Sequence, residues 1–140
     1  MEQLKNAGSD YLLEIGLETL HKDSEVWKSR IEMWKRELIF FQKLLDSYSL
    51  KFDSPDDKKE EDHFQNLIIY YNGELLDEYK QAARRQEKRL AEMMGNESPD
   101  HVDESEYRNQ HIELKRKVDS FDKQFRKYKH EFFNFIEKVL

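Results

Sequence analysis

The chain contains no cysteine. Disulfides and thiolate chemistry are therefore excluded, and any zinc ion would have to be held by histidine and carboxylate. Only four glycines and two prolines are spread over 140 residues. So few breakers favour long elements over a loop-rich fold. Long apolar runs are missing too: Leu38–Phe41 and Leu67–Tyr71 are the longest, far short of the roughly 20 residues that span a bilayer. Met1–Asp10 has no apolar segment of signal-peptide length, so a cytoplasmic protein with no membrane association is expected. Cations are outnumbered, 24 Lys and Arg against 30 Asp and Glu, for a net charge of −6. That balance argues against general affinity for nucleic acid or an anionic membrane.

What the chain does have is charge and aromatic rings. Charged residues make up 39% and apolar ones 37%, a balance that suits long thin helices with solvated faces. Aromatics at 13% are too many for a disordered chain, and the length is that of one domain. In steps of four and three, Trp27, Ile31, Trp34, Leu38, Phe41, Leu45 and Tyr48 form an unbroken apolar line. This is a heptad seam, the pattern that buries one stripe of a helix against others. Leu13, Leu17, Leu20 and Ser24 extend it backwards in the same register. Asp10 can cap the start, and Ala7-Gly8-Ser9 reads as part of a flexible lead over residues 1–9.

Ser54-Pro55-Asp56 and Ser98-Pro99-Asp100 are two helix starts of the same design: a capping hydroxyl, a proline where its missing N–H is harmless, and acids at the positive end of the dipole. Gly95-Asn96 is a left-handed stop. The last helix carries the line Tyr107, His111, Leu114, Val118, Phe121, Phe125, Tyr128, Phe132, Phe135 and Val139. The middle helix reads Phe64, Ile68, Tyr71, Leu75, Tyr79, Ala82, Gln86, Leu90 and Met93, an eleven-residue period that straightens a left-handed supercoil. Asn72-Gly73 is a weak spot within it.

The expected fold is all-α: one domain over residues 10–140, with helices of about 10–50, 55–95 and 99–139 packed up-down-up as an elongated antiparallel bundle of coiled-coil type. The alternative has four helices, the first broken near Ser24 at Lys22-Asp23-Ser24. The end holding Leu38, Phe41, Phe64, Phe132 and Phe135 is aromatic, while the end holding Gly16, Gln86 and His111 is poor in large apolar groups.

The stretch Glu25-Val26-Trp27-Lys28 through Glu37-Leu38, then Phe41-Gln42-Lys43-Leu44-Leu45-Asp46, and later His63-Phe64-Gln65-Asn66 resembles an uncharacterised bacterial family of small acidic all-helical proteins. The likeness covers about half of the chain. It implies a helical fold and brings no activity or site to transfer.

Candidate chemistry is sparse. Glu60 and His63 have the Glu-x-x-His spacing of di-iron bundles, but the partner helix has Arg108 three residues before His111, and Glu60 and His63 lie at the edge of the stripe. A solvated helix start explains them, and no cofactor or metal is expected. His111 holds a seam position, expected near Lys22 and Ala83 with Gln86 close by, where a polar residue can fix register. No serine, acid and histidine arrangement marks an enzyme. Lys80, Arg84, Arg85, Lys88 and Arg89, with Lys115-Arg116-Lys117, form basic stretches that could weakly bind nucleic acid, although within an acidic domain they read as solvated faces.

One feature exceeds the needs of a three-helix core. With the seam inward, Val26, Met33 and Phe40 fall on an outer line seven residues apart, flanked by Ile39, and Ile69, Tyr70, Phe133, Ile136 and Leu140 widen the stripes at the same end. The expected function is thus a non-enzymatic interaction or scaffold role, through a homo-oligomer or a protein partner bound at Val26, Met33, Ile39 and Phe40. Metal or small-molecule binding is the alternative class.

Overall fold

The computed structural model describes the backbone of residues 2–95 and 104–140, with the burial of residue 16 and the side chains of residues 18–95 and 104–140. The described residues are almost wholly helical and include no strand, so the fold is all-α.

Helix α1 runs unbroken over Glu2–Tyr48, 47 residues. It passes straight through Lys22-Asp23-Ser24, which removes the alternative with a break near Ser24. The reason lies in the seam: Ser24 is fully buried and Trp27 nearly so, and a break would carry both out of the core. α1 also begins at Glu2, so the flexible lead expected over residues 1–9 is helical from Glu2 on. Glu2, Gln3, Leu4, Lys5 and Ala7 are strong helix formers, and Gly8 alone does not offset them. Leu13 and Leu17 lie outside the described side chains. Trp27, Ile31, Trp34, Leu38, Phe41 and Leu45 are all buried.

A 3₁₀ turn, Ser49–Lys51, leads out of α1. Phe52 follows, fully buried and stacked on Phe135 with ring centroids 4.2 Å apart. It belongs to the core although it sits in a connection, where periodicity gives no signal. Helix α2, Pro55–Tyr70, starts as its sequence dictates: Ser54 Oγ accepts from the Asp57 amide at 3.1 Å, with Asp56 and Asp57 in the first turn.

A π turn, Tyr71–Leu75, joins α2 to α3, Leu76–Gly95. The buried stripe is Glu61, Phe64, Ile68 and Tyr71, then Leu76, Tyr79, Ala83, Gln86 and Leu90. Leu76 and Ala83 take the places expected of Leu75 and Ala82, which are only half-buried. Each half keeps strict heptad steps, and the single step of five falls between Tyr71 and Leu76. The rod therefore does not spread its extra residue over an eleven-residue period. It concentrates the extra residue in one wide turn at Asn72-Gly73. The Leu76 amide bonds Tyr71 O in place of Asn72 O, its acceptor in an α-helix. Lys35 Nζ of α1 donates to Asn72 O at 2.9 Å and pairs with Asp77.

Helix α4 is Glu104–Ile136. The expected start at Ser98-Pro99-Asp100 lies outside the described residues. From Tyr107 to Phe135 every expected seam position of α4 is buried. Ile136 is buried as well, so it thickens the core and does not widen an outer patch.

Cross-helix contacts give the relative senses. Lys28 meets Glu87, Glu32 meets Lys80, and Gln42 meets Gln65, so numbers fall along α2–α3 as they rise along α1. Asp23 meets His111, Arg30 meets Asp119 and Glu37 meets Lys129, so α1 and α4 rise together. At one end Phe41, Phe64, Phe132 and Phe135 cluster, and the Tyr128 hydroxyl donates to Phe64 O at 3.1 Å.

Deleting Gly73 should turn the step of five into four and make the rod continuous α-helix in one heptad register. We expect full helical circular dichroism and a midpoint raised by an amount worth about 1 kcal/mol, the usual cost of a mid-helix glycine. A collapse of the melting transition on deletion would show that the wide turn is required by the packing.

Candidate functional site

The outer line predicted on α1 faces solvent. Val26 is 47% exposed, Met33 56%, Ile39 48% and Phe40 54%. In heptad terms Val26, Met33 and Phe40 stand on the α4 side of the outer surface, and Ile39 on the α2 side. Register then extends the patch crosswise. The Gln42–Gln65 hydrogen bond at 3.0 Å brings Ile39 level with Ile69, which is exposed together with Tyr70. On the other flank Phe133 packs its edge on Phe41 with centroids 5.5 Å apart while keeping much of its surface in water. The α1 face thus carries an apolar band, Ile69, Ile39, Phe40 and Phe133, with Met33 and Val26 leading away along the helix. Singly exposed apolar side chains are ordinary; several gathered on one face are less so.

The basic stretches do not make a uniform cationic surface. Lys80 pairs with Glu32 at 3.1 Å and Arg116 with Glu113 at 3.2 Å. Arg85, Arg89 and Lys117 line a cavity of about 360 Å³ between α3 and α4, shared with Glu78 and Glu113. Mixed charge of this kind lowers the density of positive charge that a phosphate backbone would meet. Glu60 and His63 are both exposed, Glu60 lying 3.7 Å from Lys138 Nζ.

At the other end His111 sits in a buried polar layer. Its Nε2 donates to Asp23 Oδ2 at 3.1 Å, one residue along from the Lys22 expected by register. Its ring lies 4.6 Å from that of Trp27 and 5.9 Å from that of Tyr107. Gln86 Nε2 donates to Tyr107 O at 3.0 Å, tying α3 to α4. Ser24 Oγ, Tyr107 OH and His111 Nδ1 are buried with no hydrogen-bond partner among the described residues. Burial pushes the Tyr107 hydroxyl up to about 12, with the Asp23 charge adding to it. The layer joins α1 to α4 through one polar contact and is not at the lowest energy its volume allows, since unpartnered buried polar atoms destabilise by about 1–3 kcal/mol each.

Tyr107→Phe should therefore raise stability by about 1 kcal/mol near neutral pH. The folded-state pKa of Tyr107 lies above that of an exposed tyrosine, so its contribution is intact below about pH 10 and is lost as pH rises through about 12. Urea titrations at pH 7 and across pH 9–12 check both points: the variant should gain at neutral pH and show a shallower alkaline decline. A loss at neutral pH would mean that the hydroxyl has a partner after all.

Compared with protein-family models, curated proteins and solved structures, the chain matches none of them significantly.

Proposed function

We propose that this protein is a non-enzymatic helical interaction module, an elongated up-down-up antiparallel bundle of coiled-coil character that pairs with a second copy of itself through the outer face of α1. The carrying observation is the exposed band around Phe40, with Met33 and Val26 beyond it. Covering a band with the same band of another copy gives an isologous two-fold contact, the commonest oligomer geometry. Met33 and Phe40 are seven residues apart on one line, so an antiparallel two-fold midway between them sets Met33 of each copy against Phe40 of the other. Thioether and aromatic ring suit one another at such a contact. Burying a large apolar side chain contributes about 1.5–3 kcal/mol before association costs, and a band of six supports a modest dimer.

Sedimentation of the wild type and of Met33→Glu combined with Phe40→Glu tests this. The wild type should be a dimer and the double variant a monomer with unchanged helicity. A monomeric wild type removes the self-association, and a dimer untouched by both charges moves the interface to another face.

A further inference from the structure

Glu18, His21 and Glu25 follow one another at spacings of three and four, so they share the flank of α1 that faces α3. Glu87 reaches across from α3. One ligand-capable atom from each of His21, Glu25 and Glu87 lies within 4.8 Å of the others. Glu18, His21 and Glu87 also edge a cavity of about 350 Å³ floored by Leu90 and Met94. A side-chain cation already occupies this spot. Lys28 Nζ already stands there, 3.1 and 3.0 Å from the two Glu87 oxygens and 3.7 Å from Glu25. Glu25 and Glu87 thus share one ammonium, with Glu18 and an imidazole beside them. That lysine side chain is 34% exposed and can swing out to water.

We propose that His21, Glu25 and Glu87 form a binding site for a divalent transition-metal ion, which displaces Lys28, clamps α1 to α3 and leaves a coordination position open toward the cavity. The donor set is one imidazole nitrogen and two carboxylates, the ligands that Zn²⁺ accepts in sites with an open position. The imidazole selects against Mg²⁺ and Ca²⁺, which prefer oxygen alone. Ligands roughly 2 Å from a shared ion stand about 3–3.5 Å from one another, so the side chains need only small rotamer shifts, which the exposed His21 and Glu25 can make. The clamp lies at the polar end, where the core is poorest in large apolar groups and a cross-helix bond adds most. The spacing His21-x-x-x-Glu25 was visible in the sequence; the third ligand, on another rod, was not.

Calorimetric titration of the full chain with ZnCl₂ tests the proposal, with MgCl₂ as the control ion. One Zn²⁺ should bind per chain, at least tenfold more weakly in His21→Ala and in Glu87→Gln and more tightly in Lys28→Met, where the competing ammonium is gone. Mg²⁺ should give no binding. All three side chains lie outside the apolar seams, so unchanged helical circular dichroism confirms that each variant is folded. His63→Ala, on the exposed histidine of α2, should bind like the wild type. The proposal is overturned by a wild type that takes up no Zn²⁺, by binding that His21→Ala and Glu87→Gln leave unaltered, or by binding that depends on His63. Neither result bears on the dimer, which is read from sedimentation of a different pair of variants.

Discussion

The ring of Phe41 is the point where α1 is held to α4. It lies 4.6 Å from Phe132, 5.5 Å from Phe133 and 6.2 Å from both Phe125 and Tyr128, centroid to centroid. Phe64 enters from α2 against Tyr128, Phe132 and Phe135. α4 provides the shared wall, a ladder in which Phe121, Phe125, Tyr128 and Phe132 succeed one another at 5.3, 5.8 and 6.0 Å. Such large rings fit only where the facing rings leave room, so the ladder sets how far α1 and α2 can slide along α4. The Tyr128 hydroxyl on the Phe64 carbonyl fixes the same register with a directional bond inside the apolar end, and burial holds that hydroxyl well above the ordinary tyrosine range.

The opposite end is held by different means. Ser24, Gln86 and His111 occupy buried seam positions, and three of the layer's polar atoms have no partner among the described residues. Apolar replacements would pack without that penalty. What the polar residues supply is discrimination: Asp23 and His111 meet only in one register of α1 against α4, and Gln86 reaches the Tyr107 carbonyl only in one register of α3. One end is thus packed mainly from aromatic rings, and the other carries the buried polar groups.

Much of this was legible in the sequence. The seams of α1 and α4 read directly over their central stretches, because from Trp27 to Leu45 and from Tyr107 to Phe135 every step of four or three lands on a side chain that the structure buries. Ser54-Pro55-Asp56 placed the start of α2. Misreadings arose where one-dimensional spacing is degenerate. An apolar series stepping four, three, four describes an evenly relaxed helix and also two heptad helices joined by a surplus residue; only the burial of Leu76 over Leu75 tells them apart. Phe52 went unnoticed because a core residue in a connection has no period. Val26, Met33, Ile39 and Phe40 were placed outward by helical phase alone, whereas the crosswise extension to Ile69 and Phe133 depends on how neighbouring helices are staggered. The same holds for Asp23 beside His111 and for Glu87 beside His21, since the stagger between helices is set by connections whose geometry no periodicity reports.

The wide turn at Tyr71–Leu75 has a consequence for how the rod is phased. Because the surplus residue is confined there, the faces of α2 and α3 are phased independently, each against its own stretch of α1. The one surplus residue is taken up as local winding, and heptad steps resume on the far side of it. Lys35 grips the turn from α1, so the joint between the two stretches is itself anchored to the neighbouring helix.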